Sequence, residues 1–247
     1  MRNPRTYDGS YLERVHEMLV SSKKLGYKRL NPQAGETVLD VGCGIGLDVL
    51  EFASEGSNVI AIDADEEFIV EAKRRHAEAQ NINFLLGNIF ALPLAKSSVD
   101  KVWLDRVFQH LPNHNLALME LKRVMKPGGK ILIMDTYYHK ISLQFSNGET
   151  IRELIDYMIR EKFPASAALN DLSEQMEKTG FSIIEQGIQQ HSFKGEEQVN
   201  QLFRFNKLML EMRDKELITA EDLASWVGYE KPELHLPILW IHAENSV

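Results

Sequence analysis

At 247 residues the chain is long enough for one large domain that buries a substantial core. Its formal charge of −8, from 28 basic and 36 acidic residues, opposes attraction to a polyanion and argues against a nucleic-acid partner. Hydrophobic residues make up 44% and charged residues 26%, a soluble globular balance, and no apolar run is long enough to span a bilayer.

Leu12, Val15, Met18, Leu19 and Leu25 recur at helical spacing and predict a leading helix over about residues 10–30, ended by Asn31-Pro32. Strands and helices then alternate. Strands are predicted at residues 38–41, 59–63, 82–86, 99–104 and 130–135. Between them come a helix after Gly46, one through Ala72 and Ala79, and one through Leu116 and Leu121. Such alternation implies a doubly wound α/β sheet with crossover helices on both faces.

Beyond Asp135 the rhythm changes. Ile151, Leu154, Ile155, Met158 and Ile159 form an apolar helical stripe that ends near Phe163-Pro164, and a further helix from about Asn170 stops at Gly180. Residues 181–186 read as a strand. A helical insertion follows over about residues 196–228, with Thr219 placed to cap its last turn. Residues 236–241 finish as a strand, in which Pro237 suits an edge or a strand start.

The most informative stretch is Asp40-Val41-Gly42-Cys43-Gly44-Ile45-Gly46. Glycines at alternate positions let the backbone turn tightly and approach a ligand. A dinucleotide loop is disfavoured, because its third glycine would stand where this chain has Leu47, and Asp40 would repel a pyrophosphate. A nucleoside bearing an ammonium group fits better. Asp63 ends the second predicted strand about 20 residues after Gly42, where a carboxylate can accept both hydroxyls of a ribose, with small Ala64 beside it. Asp63 as a helix cap, with Glu66 three residues on, is the structural alternative. After the third strand, the Asn88 amide can read an adenine edge while Ile89 packs on the ring. The fourth strand ends near Asp105, and Met125-Lys126-Pro127-Gly128-Gly129 makes a turn before the fifth. Cys43, the single cysteine, can form no intrachain disulfide and reads as small filler of the turn, which fits a reducing cytoplasm. Met1-Arg2-Asn3-Pro4-Arg5 is followed by no hydrophobic stretch, so a secretory signal is not expected.

In order and spacing these residues resemble the class I S-adenosylmethionine-dependent methyltransferases, in particular the small-molecule group similar to ubiquinone and menaquinone biosynthesis methyltransferases. Residues 38–46 match the glycine motif, Asp63 the ribose-binding acid, Gly87-Asn88-Ile89 the adenine segment and residues 123–130 the turn into strand five. The resemblance implies a Rossmann-like, doubly wound seven-stranded sheet whose last strand, residues 236–241, is antiparallel, with helical lid insertions. It implies a single domain over residues 1–247, with a cofactor-binding core at 30–136 and a variable part at 137–235 that carries the acceptor site. S-adenosyl-L-methionine is the implied cofactor and S-adenosyl-L-homocysteine its product. The implied cofactor-binding set is Asp40, Gly42, Cys43, Gly44, Gly46, Asp63, Ala64, Asn88, Ile89 and Asp105. Relatives usually have aspartate where this chain has Asn88, and a neutral hydrogen bond is roughly half as strong as a charge-assisted one.

A sulfonium methyl is already activated, so catalysis would rest on orientation, which can contribute roughly 7–11 kcal/mol. Only a poorly acidic hydroxyl acceptor would need a base. His110 and His139, near the ends of strands four and five, are the candidates, against a hydrogen-bonded structural role for His110 and a plain surface position for His139. His191 is a weaker candidate, and no metal is expected. Phe203, Phe205, Met209 and Met212 can line an acceptor pocket or pack in the core, and Tyr7 and Tyr11 can close over the cofactor or pack elsewhere. The expected function is in-line methyl transfer to an oxygen, nitrogen or carbon of a small-molecule acceptor. A cofactor-binding protein with a non-methylating biosynthetic or regulatory role is the alternative. The helical insertions can serve as a lid or as a homodimer interface.

Overall fold

The computed structural model describes residues 8–144, 148–227 and 232–246, so Tyr7 lies outside the described residues. The leading helix α1 (Gly9–Leu30) starts where the Asp8 carboxylate accepts the Tyr11 N–H at 2.9 Å, and ends at Asn31 in the left-handed region, φ 45°. Its buried face runs through Tyr11, Val15, Leu19, Lys23 and Tyr27, one residue in four. Leu25, expected on that stripe, is off this spacing and exposed. Gly26 lets the helix lie close on the sheet, since a Cβ there would stand 2.7 Å from the Trp103 ring.

Among the described residues eight strands form one sheet. β1 (Thr37–Val41), β2 (Asn58–Asp63), β3 (Ile82–Leu86), β4 (Val99–Asp105) and β5 (Met125–Thr136) are parallel, in the order β3-β2-β1-β4-β5. They are connected through α2 (Val49–Ser54), α3 (Glu66–Arg75) and α4 (His114–Val124). α3 stops at Arg75, short of the expected Ala79. The Lys126–Gly129 turn is a bulge inside β5, where the pairing jumps from Val99↔Met125 to Lys101↔Lys130 and Gly128 takes φ 76°.

The last strand, β8 (Glu233–Asn245), runs antiparallel to β5 from Thr136↔Ile238 to Lys130↔Glu244, as expected. Along its other edge lies β7 (Phe181–Lys194), paired over almost the whole length of β8 and much longer than the expected residues 181–186. The short β6 (Ser142–Gln144) continues the β5 edge, pairing with residues 233–235. The expected seven strands with an antiparallel last strand are therefore present, with β6 added. Pro237 departs from expectation, because it lies inside a strand with neighbours on both edges. It sits where one neighbour changes from β5 to β6, and its carbonyl still accepts the Tyr137 N–H at 2.9 Å. The missing donor thus falls in the gap between the two partners.

The remaining helices are α5 (Gly148–Lys162), α6 (Leu172–Thr179), α7 (Glu196–Phe203), α8 (Phe205–Asp214) and α9 (Ala220–Val227). Gly180 closes α6 at φ 91°, as expected. Thr219 caps α9 reciprocally with Asp222: its hydroxyl accepts the Asp222 N–H at 3.1 Å, and the Asp222 carboxylate accepts the Thr219 N–H at 2.9 Å. One buried cluster joins α1, Phe52, Trp103 and the inserted helices, and takes up Phe205, Met209 and Met212. The other joins Leu104, Phe108, Leu118 and Leu121.

Candidate active site at the carboxyl edge of the sheet

The carboxyl ends of the parallel strands open into a cavity of about 430 Å³, within the range of about 300–1,000 Å³ usual for ligand pockets. At one end it is lined by Gly42, Gly44, Asp63, Ala64, Asn88 and Ile89. Gly42 has φ 72°, and a Cβ there would lie 2.6 Å from a Val107 methyl, so this turn tolerates no side chain. The Gly44 N–H donates to Asp63 Oδ2 and the Asp65 N–H to Asp63 Oδ1, both at 2.8 Å. Burial pushes the Asp63 carboxyl up, while these N–H groups pull the other way. Its remaining lone pairs are free to accept ligand hydroxyls. The capping alternative for Asp63 is corrected: Asp65 caps α3, accepting the N–H groups of Glu67 at 2.9 Å and Phe68 at 3.3 Å. Asn88 is exposed, and its oxygen accepts the Phe90 N–H at 3.0 Å.

Cys43 and Gly46 belong to the turn but not to the cavity wall. Burial and the carboxylates of Asp40 and Asp63 push the Cys43 thiol up, so it stays protonated. Gly46 packs against Phe84, 3.0 Å from where a Cβ would stand. Asp40 is buried and does not line the cavity either, and its Oδ2 has no hydrogen-bond partner. Burial and the neighbouring Asp48 charge push its carboxyl well above the usual range. Asp105 does line the cavity, and its Oδ2 lies 2.8 Å from the buried Lys23 ammonium. Lys23 also donates to both oxygens of Asp48 at 2.9 Å, joining α1 to the turn after β1. Sequence reasoning missed Lys23 and Asp48. The signal was the place of Lys23 in the one-in-four series of the α1 buried face.

The other end of the cavity is lined by Tyr11, Arg106, His110, Tyr138, Phe163 and Phe203. Tyr138 and Phe163 stack with centroids 4.5 Å apart, and Phe203 meets Tyr138 edge-on at 6.1 Å. The Tyr11 hydroxyl donates to the Leu202 carbonyl at 2.7 Å, tying α1 to α7 over the cavity. His110 keeps part of its surface exposed, yet desolvation by its surroundings and the Arg106 charge lower its pKa to about 4, so it is neutral near pH 7. Its Nε2 lies 2.9 Å from the Gln109 side-chain nitrogen. His139 is exposed on a one-turn helix (Tyr138–Lys140) and does not line the cavity. His191 bonds the Ser22 hydroxyl and stacks on Phe193, outside it.

Asp135, buried at the end of β5, accepts the Phe108 N–H at 2.9 Å and the Gln109 N–H at 3.3 Å, and so holds the turn that carries His110. Burial and the Asp105 charge push its carboxyl up to about 8. Its signal in the sequence was an acid closing the apolar run Ile131-Leu132-Ile133-Met134. Among the described residues no group of three or more His, Cys, Asp or Glu is arranged to hold a metal ion. No described helix is long and apolar enough to cross a membrane.

A parallel sheet ended by an antiparallel strand, with a glycine turn facing an acid on the next strand tip, defines the Rossmann-like fold of class I S-adenosylmethionine-dependent methyltransferases. Residues 39–133 match the family described as a methyltransferase domain. The chain is 31% identical over 180 residues to a demethylmenaquinone methyltransferase of Lactococcus lactis, covering 64% of this chain and 70% of that protein. It belongs to this methyltransferase family. The matched segments span only 43%, 51% and 52% of three other curated relatives. In fold it is similar to the YcgJ protein of Bacillus subtilis, with TM-score 0.65 and 19% identity over 92% of this chain and 99% of that one. It is also similar to Haemonchus contortus phosphoethanolamine N-methyltransferase 2 in complex with S-adenosyl-L-methionine, with TM-score 0.61 and 17% identity over 99% of this chain and 59% of that one. The donor set fits such a cofactor: side-chain-free turn backbone at Gly42 and Gly44, spare acceptor capacity on Asp63, and an apolar wall at Ile89.

Proposed function

We propose that this chain binds S-adenosyl-L-methionine at the glycine-turn end of the cavity and directs its methyl group to a small molecule held at the aromatic end. The observation that carries this reading is continuity: one cavity joins Gly42, Asp63 and Asn88 to Tyr138, Phe163 and Phe203. Asp63 accepts the ribose hydroxyls, Asn88 and Ile89 hold the adenine, and Gly42 and Gly44 let backbone approach the amino-acid tail. Cys43 and Gly46 shape that turn from behind the wall. Of the two further carboxylates in the implied cofactor-binding set, Asp105 lines the cavity and Asp40 does not.

When bound, the cofactor supplies a sulfonium-activated methyl group, which leaves orientation and exclusion of water to the protein. The Tyr11–Leu202 tie closes the roof over the cavity and serves that exclusion. His110 can receive a proton, but a group with pKa about 4 is a weak base, so it suits an acceptor that is already nucleophilic or readily ionised. His139 has no such access in this arrangement. The acceptor atom is an oxygen, nitrogen or carbon of a small metabolite with an apolar or aromatic body.

Calorimetric titration with S-adenosyl-L-homocysteine tests the cofactor site. Incubation with S-adenosyl-L-methionine and a metabolite extract, followed by mass spectrometry, tests the reaction. Binding of the homocysteine compound, together with a product heavier by one methyl-for-hydrogen exchange, is the expected result. A folded protein that binds neither compound would end the proposal.

A further inference from the structure

At the aromatic end of the cavity stands a cation that the reaction described above does not use. Arg106 directly follows β4 with φ 58°, a conformation that non-glycine residues rarely adopt, and its backbone N–H donates to the Met134 carbonyl at 2.7 Å. The side chain lines the cavity and is 16% exposed. No described residue accepts a hydrogen bond from its guanidinium, and Nε is buried without a partner. The nearest carboxylate, Asp105, is 3.5 Å from Nε and is held more closely by Lys23, at 2.8 Å.

A guanidinium is a planar fork of donors that matches paired oxygens on an anion. Leaving such donors unmade in an enclosed site is costly, and a ligand with paired acceptor oxygens removes that cost. The cavity that Arg106 lines is also walled by Tyr11, Tyr138, Phe163 and Phe203, and the Tyr11 hydroxyl proton is committed to the Leu202 carbonyl. Arg106 thus shares the cavity with these rings and with the polar side chains of Asp105, Gln109, His110 and Thr136, none of which accepts a hydrogen bond from its guanidinium.

We propose that Arg106 anchors an anionic acceptor: a small molecule whose carboxylate or comparable ionised oxygen pairs with the guanidinium while a flat apolar body lies against the Tyr138–Phe163 stack. This rests on the methyltransferase reading of the cavity and adds the acceptor's charge to it. Arg106 selects the acceptor and sets its position. The cofactor's own amino-acid tail also carries a carboxylate, and the test separates the two sources.

The probes are 2-naphthoate and its neutral counterpart 2-naphthamide, titrated by ligand-observed NMR into protein saturated with S-adenosyl-L-homocysteine. The carboxylate should bind at least about ten-fold tighter than the amide. Arg106→Gln should abolish that preference while changing affinity for S-adenosyl-L-homocysteine by less than about two-fold. Arg106→Lys, which keeps the charge but not the fork, should retain part of the preference, and it decides the matter together with the wild-type probe pair if Arg106→Gln does not fold. Equal binding of the two probes by the wild type, or binding of neither, overturns the proposal. So does a loss of about ten-fold or more in S-adenosyl-L-homocysteine affinity in Arg106→Gln, which would give the arginine to the cofactor. A wild type that binds no S-adenosyl-L-homocysteine overturns the cofactor reading itself, and this inference with it.

Discussion

Lys23→Met probes the buried charges that fasten the leading helix to the strand tips. Lys23 Nζ lies 2.9 Å from both Asp48 oxygens and 2.8 Å from Asp105 Oδ2, and its side chain is 3% exposed. Methionine keeps the length of the side chain and removes its charge. Two buried carboxylates then lose their shared ammonium, which leaves Asp105 the Arg106 guanidinium at 3.5 Å and Asp48 only Tyr27, Trp103 and His16. Removing one partner of a buried pair costs about 3–5 kcal/mol, because the other charge stays uncompensated. In the wild type burial alone would raise the Asp48 carboxyl, but the Lys23 ammonium and contacts from His16 and Tyr27 outweigh it and hold the group far below the usual range. A depressed carboxyl contributes stability that is present above its unfolded value and lost as pH falls. The deficit of Lys23→Met should be largest near neutral pH and shrink toward about pH 5, because without the ammonium burial raises the folded carboxyls above their unfolded values, so the folded variant takes up protons before the unfolded chain does. Urea unfolding followed by fluorescence, at both pH values, measures it. Asp48→Asn in the Lys23→Met background should recover about 1–3 kcal/mol through coupling of the two sites. A deficit below about 1 kcal/mol, typical of an exposed pair, or one that neither pH nor Asp48→Asn relieves, refutes the argument.

Asp63→Ala should weaken S-adenosyl-L-homocysteine binding by at least about 1 kcal/mol through lost ribose bonds, and unchanged calorimetric affinity in a folded variant removes Asp63 from the site. Asp135 carries a folded value of about 8, so the folded protein keeps a proton that the unfolded chain releases above about pH 4. Its contribution is intact at low pH and is lost as pH rises toward 8, by up to about 1.4 kcal/mol per pH unit. Asp135→Asn should flatten this slope in urea unfolding across that range, and parallel slopes for the two proteins contradict the assignment. Tyr11→Phe removes the bond to the Leu202 carbonyl and should cost about 1 kcal/mol in unfolding free energy, with faster proteolysis of the roof. No change in either measurement disconnects Tyr11 from the lid.

The parallel strands were legible because each is a short apolar run ended by a turn or an acid, and the cofactor end was legible because its residues lie at strand tips in chain order. What could not be read has physical causes. The second half of β7, Gln186 to Ser192, is mostly polar because that strand forms the sheet edge and keeps much of its surface in water. Its length is imposed by β8, not by its own pattern. Pro237 reads as a strand boundary in isolation, and only the handover from β5 to β6 makes it harmless inside β8. Lys23, Asp48 and Arg106 look like ordinary surface charges until packing brings them together. Tyr138, Phe163 and Phe203 come from separate segments, so no local spacing announces their shared enclosure.

The bond from Tyr11 to Leu202 joins residues 191 positions apart. During synthesis the strand tips with their glycine turn emerge long before α7, so a nascent chain can pair its first strands while its ligand chamber still stands open to water. Closing so wide a loop is entropically expensive, and it becomes favourable only once the late helices and β8 have packed. A small molecule that occupies the finished chamber therefore reports on completion of the whole fold, and its presence during refolding should draw the two ends of the chain into place by mass action.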